Sequence, residues 1–197
     1  MNNSPQDPFH LFVSWFETAR QEESVAAEVM SLACSDGNGF PSLRNVLFKG
    51  YSGVPKGIRF FTNYGSRKAQ ALDNNPRAAG LFYWPIAGRQ VRLEGSCQKL
   101  DQGESDIYFA DRPRQSQLGV WASRQSDEIP DRDFLEAQLA HFEARFEGNE
   151  VPRPGWWGGY RLVPSSFEFW SSRPNRLHDR LLYQLHGALW KRRRLAP

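Results

Sequence analysis

The stretch RPNRLHDRL, Arg173 to Leu181, places Arg176, His178 and Arg180 at every second position. On an extended strand successive side chains alternate faces, so these three would share one face, with Leu177 and Asp179 on the other. Cationic groups crowded on one face repel one another unless an anion sits among them. A solvated strand end, where such charges cost little, is the competing reading and is slightly favoured for this stretch alone.

Three further clusters combine bases with hydroxyls. Ser66, Arg67 and Lys68 in GSRKAQ stand at a helix start, where backbone N–H groups and the helix dipole favour an anion. Arg112, Arg114 and Ser116 in DRPRQSQLGVWASRQS suit phosphate oxygens, to which guanidinium forks and hydroxyls donate. In LRNVLFKG, Arg44, Val46 and Phe48 share one strand face and Lys49 lies on the opposite one. Each cluster alone is weak. Interleaved with Phe61, Tyr108, Trp121 and Trp170, the four together suggest one or two flat, phosphorylated ligands. A cofactor, a nucleotide and an oligonucleotide all remain open at this point.

The chain that must position these groups has 197 residues, 40% hydrophobic and 14% aromatic, with a formal net charge of +3. That suffices for one domain with a real core. The mild positive charge permits an anionic ligand without demanding nucleic acid. Cys34 and Cys97 make neither a disulfide framework nor a metal signature and read as buried, reduced thiols; no metal is expected. The start MNNSPQDPFHLF lacks the regions of a signal peptide, and no apolar run approaches membrane-spanning length. The expectation is a cytoplasmic protein with no membrane or nucleic-acid partner.

The segment DPFHLFVSWFETARQ predicts a docking helix: Asp7 caps it, Pro8 suits its first position, and Phe9, Phe12, Val13 and Phe16 give one apolar face. The stretch from Glu28 to Asn63 reads as three strands separated by SDGNGFP and SGVPKG. A short helix capped by Ser66 and stopped by Pro76 follows, then two strands around PIAG. Two short helical stretches precede an amphipathic helix in PDRDFLEAQLAHFEARFEG, with Phe134, Leu135, Leu139, Phe142 and Phe146 as its stripe and Gly148 as its stop. Strands return as GGYRLVP, SFEFWSS, RLLYQL and ALWKRRRL, the last two joined across His186-Gly187. The pattern predicts a single mainly β domain over residues 1–197, a small barrel with peripheral α-helices and a helical insert at about 102–147.

The segments FFTNYGSRKAQ, RQVRLEG, RPRQSQLGVWASRQS, PRPGWWGGYRLVP, FEFW and RPNRLHDRLLY, with the closing RLAP, occur in an order and spacing that resemble the pyridoxamine 5'-phosphate oxidase family. The likeness runs from about Asp7 to Pro197, and its most specific part is R-P-R-x-S-Q-x-G-x-W-x-S-x-Q-S together with R-L-H-D-R. The resemblance implies an FMN-binding split β-barrel, built as a homodimer with FMN at the subunit interface. By the same resemblance Arg44, Asn45, Val46, Leu47, Phe48 and Lys49 lie along the flavin. Phe61, Thr62, Gln90, Gln125, Ser126, Trp170 and Arg180 contact FMN, and Ser66, Arg67 and Lys68 hold its phosphate. Lys49, Tyr108, Arg112 and Ser116 would cradle the substrate phosphate. Arg176 and His178 would be the catalytic pair that holds the substrate, Arg176 being the better candidate for assisting proton removal. The implied reaction oxidises pyridoxamine or pyridoxine 5'-phosphate at C4' to pyridoxal 5'-phosphate, with O2 as acceptor, H2O2 as product, and ammonia released from the amine. The crowded basic face is then divided, Arg180 to FMN and Arg176 with His178 to the substrate.

Some positions depart from the family pattern. Asn45 stands where an apolar residue is usual, the loop YSGVPKG is slightly long, and the amino-terminal arm Met1–Gln6 is short. The family often has Asp or Asn just before the first strand; from EESVAAEVM no residue is transferred. His10, His141 and His186 read as structural or solvated, Lys191–Arg194 as a solvated edge, and Trp156 and Trp157 as core or interface packing rather than pocket lining. Two other functions compete. One is a sister flavin oxidase acting on another flat substrate, such as a reduced phenazine precursor, which would have little use for Arg112, Ser116, Arg176 and His178. The other is a non-catalytic barrel binding flavin, heme or pyridoxal phosphate, which turnover would separate from an oxidase.

Overall fold

The computed structural model describes residues 7–197; the short arm Met1–Gln6 lies outside the described residues. Helix α1 (Pro8–Glu23) starts as expected, with the Asp7 carboxylate accepting from the Phe9 N–H at 2.9 Å. Phe9, Phe12 and Phe16 are buried and Val13 is half-buried beside them. Phe12 meets the rings of Phe48, Phe82, Trp84 and Phe167 at centroid distances of 5.2–6.4 Å, so α1 docks on the sheet through this one face.

A 3₁₀ turn (Ser24–Glu28) leads into β1 (Val29–Ser35), β2 (Pro41–Leu47), β3 (Tyr51–Ser52) and β4 (Gly57–Asn63). The two-residue β3 is an addition to the three strands expected here; it forms where the loop returns onto β4. Helix α2 (Arg67–Asn74), β5 (Arg77–Trp84) and β6 (Arg89–Lys99) follow, then α3 (Gln102–Ala110), α4 (Arg114–Ala122) and α5 (Arg132–Arg145). The chain finishes with β7 (Trp157–Ser171), β8 (Asp179–His186) and β9 (Leu189–Leu195).

Among the described residues the strands form one antiparallel sheet in the order β2-β1-β5-β6-β7-β4-β3, with β8 on β7 and β9 on β8. GGYRLVP and SFEFWSS, expected as two strands, are the single strand β7. It passes through Pro164 because the ladder with β6 steps there, from Glu94 opposite Ser166 to Gly95 opposite Pro164. Proline is tolerated at such a bulge, where a ladder donor is not needed. A Cβ on Gly95 would lie 2.0 Å from the Val163 carbonyl oxygen, so the step requires glycine. The first half of β7 pairs with β4 and the second half with β8, while β6 runs along its other side. The Lys49 N–H donates to Arg59 O at 2.9 Å and the Arg59 N–H to Gly50 O at 2.8 Å, which draws the chain after β2 onto β4 and curls the sheet into a split barrel.

A second apolar cluster, of Phe109, Leu118, Val120, Phe146, Val151 and Trp157, ties α3 and α4 to the start of β7. Helix α5 lies over it. Its stripe is less buried than the periodicity suggests: none of its own residues is fully buried and Phe134 is 41% exposed. The helix also ends short of Gly148, which takes φ 69° in the loop beyond. Cys34 and Cys97 are buried free thiols, and His10, His141, His186 and Lys191–Arg194 are exposed.

Candidate active site

A cavity of about 580 Å³ opens where β4, α3, α4 and the start of β7 meet. Alternation after β2 sends Val46 and Phe48 into the core and leaves Leu47 and Lys49 on the cavity wall. Phe61 and Thr62 come from β4, Tyr108 from α3, Arg112 and Ser116 from the entry of α4, and Gln125 from the loop after it. The Phe61 and Tyr108 rings stack at 3.7 Å and 11°, and Trp157 continues the stack 5.6 Å from Phe61. The Arg112 guanidinium lies over Trp157 at 4.7 Å and donates to Ser116 O at 3.2 Å. Burial pulls the Arg112 pKa down, with Tyr108 opposing. Trp157 is therefore cavity wall as well as core, which corrects the packing-only expectation. Asn63 and Ser123 also line the cavity and were not singled out. Asn63 directly follows Phe61-Thr62, but it reads as a turn residue because its side chain accepts from the Gly65 N–H at 2.8 Å.

Behind this wall lies a polar knot. The Lys68 ammonium donates to Thr62 Oγ1 at 2.9 Å, Ser66 Oγ at 3.1 Å and Gln125 Oε1 at 2.7 Å. Burial first, and then the Arg44 charge, lower the Lys68 pKa to about 8. Ser66 does occupy the N-cap position of α2, but its hydroxyl donates back to Asn63 O at 2.7 Å and makes no cap bond. Its oxygen is taken by Lys68 instead of a helix amide. The Arg67 N–H reaches Ser126 Oγ at 3.4 Å; Ser126 adopts φ 79°. Arg44 is held by Ser42 Oγ at 2.6 Å and Cys34 Sγ at 3.0 Å, and Asn45, exposed, accepts from Ser31 Oγ at 2.8 Å.

Gln90, Trp170, His178 and Arg180 form a second cluster, with Arg176 in the turn before it along the chain, and none of these lines this cavity. Gln90, Trp170 and Arg180 are register neighbours across β6, β7 and β8. The His178 ring lies 4.6 Å from that of Trp170. Arg176 is not on a strand. Pro174–Arg176 is a 3₁₀ turn in which Asn175 and Arg176 take φ 59° and 61°, and β8 begins only at Asp179. The every-second-position argument therefore fails: Pro174 sets the turn and asparagine tolerates the left-handed region. Much of the expected repulsion is met within the chain, since Arg180 pairs with Glu168 at 2.8 Å and Asp179 takes both Arg173 and Arg194. The hydrogen bonds from Arg173 and Arg194 lower the Asp179 pKa, and the Glu168 hydrogen bond raises that of Arg180. The Arg173 N–H donates to His178 Nδ1 at 3.2 Å. Nδ1 is thus an acceptor, and the neutral ring carries its proton on Nε2.

Residues 17–146 match the family model described as pyridoxamine 5'-phosphate oxidase, and residues 157–197 match one described as pyridoxine 5'-phosphate oxidase C-terminal dimerisation region. The pyridoxine/pyridoxamine 5'-phosphate oxidase of Rubrobacter xylanophilus is 51% identical, covering 97% of this chain and 87% of its own. That of Burkholderia mallei is 52% identical over 97% and 89%. Among solved structures, PhzG from Burkholderia lata 383 in complex with tetrahydrophenazine-1-carboxylic acid is 34% identical with a TM-score of 0.93, over 99% of this chain and 95% of its own. A pyridoxamine 5'-phosphate oxidase-related, FMN binding protein from Nostoc punctiforme shares the fold at a TM-score of 0.78 and 18% identity, over 100% of both chains. Trp170, Arg176, His178 and Arg180 all fall within the segment that matches the dimerisation region.

Proposed function

Given that the chain belongs to the pyridoxamine 5'-phosphate oxidase family, we propose that it is a cytoplasmic, homodimeric, FMN-dependent oxidase. It converts pyridoxine or pyridoxamine 5'-phosphate to pyridoxal 5'-phosphate, with O2 as acceptor and H2O2 as product. The observation that carries this reading is the division of the site into two clusters. One surrounds the 580 Å³ cavity and the other, Gln90 of β6 apart, lies in the segment matching the dimerisation region, so a second copy would complete each site. The outward face of the edge strand β2 suits such a contact: Leu43 and Leu47 are 69% and 50% exposed.

The residues present fit FMN. Lys68, Arg67, Arg44 and the first-turn amides of α2 are the donors a phosphate monoester needs, and Thr62 and Gln125 offer polar atoms to a ring edge. When bound, FMN supplies the two-electron acceptor. The chain's residues supply position and charge. Lys49, Arg112 and Ser116 bind the substrate phosphate at the cavity wall. The stacked Phe61, Tyr108 and Trp157 give a flat surface that excludes water. His178 offers Nε2–H to the substrate, and the fixed Arg176 charge holds the ring through its phenolate-type oxygen while hydrogen leaves C4' together with its electron pair.

A phenazine-type oxidase is the second reading, favoured by the similarity to PhzG. Against it, Lys49, Arg112 and Ser116 converge on one cavity as a phosphate cradle. The test is to purify the protein, record a flavin spectrum, and add pyridoxine 5'-phosphate without air. Bleaching is expected; bound FMN that stays oxidised would point to the other substrate or to a non-catalytic barrel.

A further inference from the structure

Lys49 is already engaged. Its Nζ donates to Glu28 Oε2 at 2.7 Å, and the two side chains are 28% and 30% exposed. The fold delivers this partner. The Phe48 N–H donates to Glu28 O at 2.8 Å, one step beyond the Val29–Leu47 pair of the β1–β2 ladder. From the other side, the indole N–H of buried Trp84 donates to Ala27 O at 3.1 Å. A second cavity of about 420 Å³, walled by Phe12, Phe16 and Phe48, shares Lys49 and Tyr108 with the first. Glu28 lines only this second cavity, so Lys49 stands in the partition with its counter-ion behind it. The other charged groups there have partners of their own, Arg20 with Glu17 at 4.0 Å and Arg59 with Glu104 at 3.9 Å.

We propose that Glu28 is a positioning residue that sets how tightly the site holds phosphate, by drawing Lys49 toward the second cavity and offsetting its charge. The inference rests on the proposed function, which makes Lys49 a phosphate ligand. An ammonium has three donor hydrogens, and Glu28 occupies one. A phosphate on the same ammonium gains a like-charged neighbour one side chain away, and like charges disfavour each other. The site then grips the phosphate of substrate and product less firmly than its cations alone would. Where product release limits turnover, a looser grip raises kcat.

The test compares FMN-loaded wild type with Glu28→Gln, Glu28→Asp, Lys49→Met and the Glu28→Gln/Lys49→Met pair. Glu28→Gln should lower both the KM for pyridoxine 5'-phosphate and the inhibition constant of inorganic phosphate by about 2–5-fold, the scale of a partly exposed ion pair. Its kcat should fall as release slows, Glu28→Asp should fall between, and the gain should vanish without Lys49. Unchanged or weaker phosphate binding in Glu28→Gln, or the same gain in the Lys49→Met background, overturns the proposal. If the wild type binds phosphate but does not oxidise the substrate, calorimetry with inorganic phosphate alone decides. Tighter binding in Glu28→Gln then upholds the role of Glu28 while the functional reading falls.

Discussion

Glu168 holds Arg180: its Oε1 accepts from Arg180 Nε at 2.8 Å while its Oε2 accepts from Arg92 Nη2 at 2.8 Å. Glu168 is 5% exposed, so one buried carboxylate serves two guanidiniums across β6, β7 and β8. Arg180 has a second tie, donating from Nη1 to Ala196 O at 2.9 Å. Removing the carboxylate leaves Arg180 without its acidic partner and Arg92 with Glu94 alone, at 3.4 Å. Glu168→Ala should cost about 2–3 kcal/mol in urea denaturation, below the full value for a buried pair because both arginines keep some solvent. It should also weaken FMN binding about tenfold in a fluorescence titration, with Glu168→Gln between. Unchanged FMN affinity would remove Arg180 from the cofactor site.

The proposed contact between Lys68 and the FMN phosphate makes cofactor binding depend on pH. Its folded pKa, about 8, is below the ordinary lysine value. At pH below 8 it is charged in both folded and unfolded chains, and the full cost of burying that charge is present. Above pH 8 the unfolded chain binds more protons, so the stability of the FMN-free protein rises with pH up to the ordinary lysine range. The phosphate of FMN requires the charged form, so affinity should move the opposite way and fall as pH rises through about 8. Titrations on both sides of that value should show the fall in wild type and its absence in Lys68→Met.

The proposed division gives Arg176 to the substrate and Arg180 to FMN. Arg176→Ala should therefore lower kcat/KM by about 100-fold or more while changing FMN affinity less than about threefold. Steady-state kinetics at saturating FMN, with a parallel FMN titration, separate the two. Equal losses would sink the assignment.

The proposed two-copy site predicts rescue between mutants. Lys49→Met and Arg176→Ala should each be poorly active alone. Mixed, unfolded and refolded together, they should regain about a quarter of wild-type activity, since half the dimers are mixed and each carries one intact site. No recovery would place both clusters in a single-chain site.

Parts of this were legible from residue order. Phe9, Phe12 and Phe16 reveal α1 because burial repeats with the helix turn. Ser66 and Pro76 reveal the short helix α2 between them, with Arg67 and Lys68 in its first turn; that these hold an anion is part of the proposal. Other parts depend on pairing, which local pattern does not encode. Glu28 meets Lys49, and Glu168 meets Arg92 and Arg180, only through strand register. The alternation argument broke at Asn175 and Arg176 because a left-handed pair leaves no periodic trace. Strand β7 looked like two strands because Pro164 reads as a stop until a bulge is known to absorb it. The family resemblance supplied proposed roles where spacing left them open; the two-cluster arrangement of those residues came from the sheet order.

Strand β7 also bears on engineering. The segments matched by the two family models meet inside one sheet, because β7 is inserted between β6 and β4. A fragment ending at residue 156 would bare two long strand edges, an invitation to aggregation. A chimera that exchanges residues 157–197 with a relative therefore replaces a central stave rather than an outlying module. The residues paired with it, Phe60 opposite Tyr160 and Leu93 opposite Phe167 among them, have to travel with it.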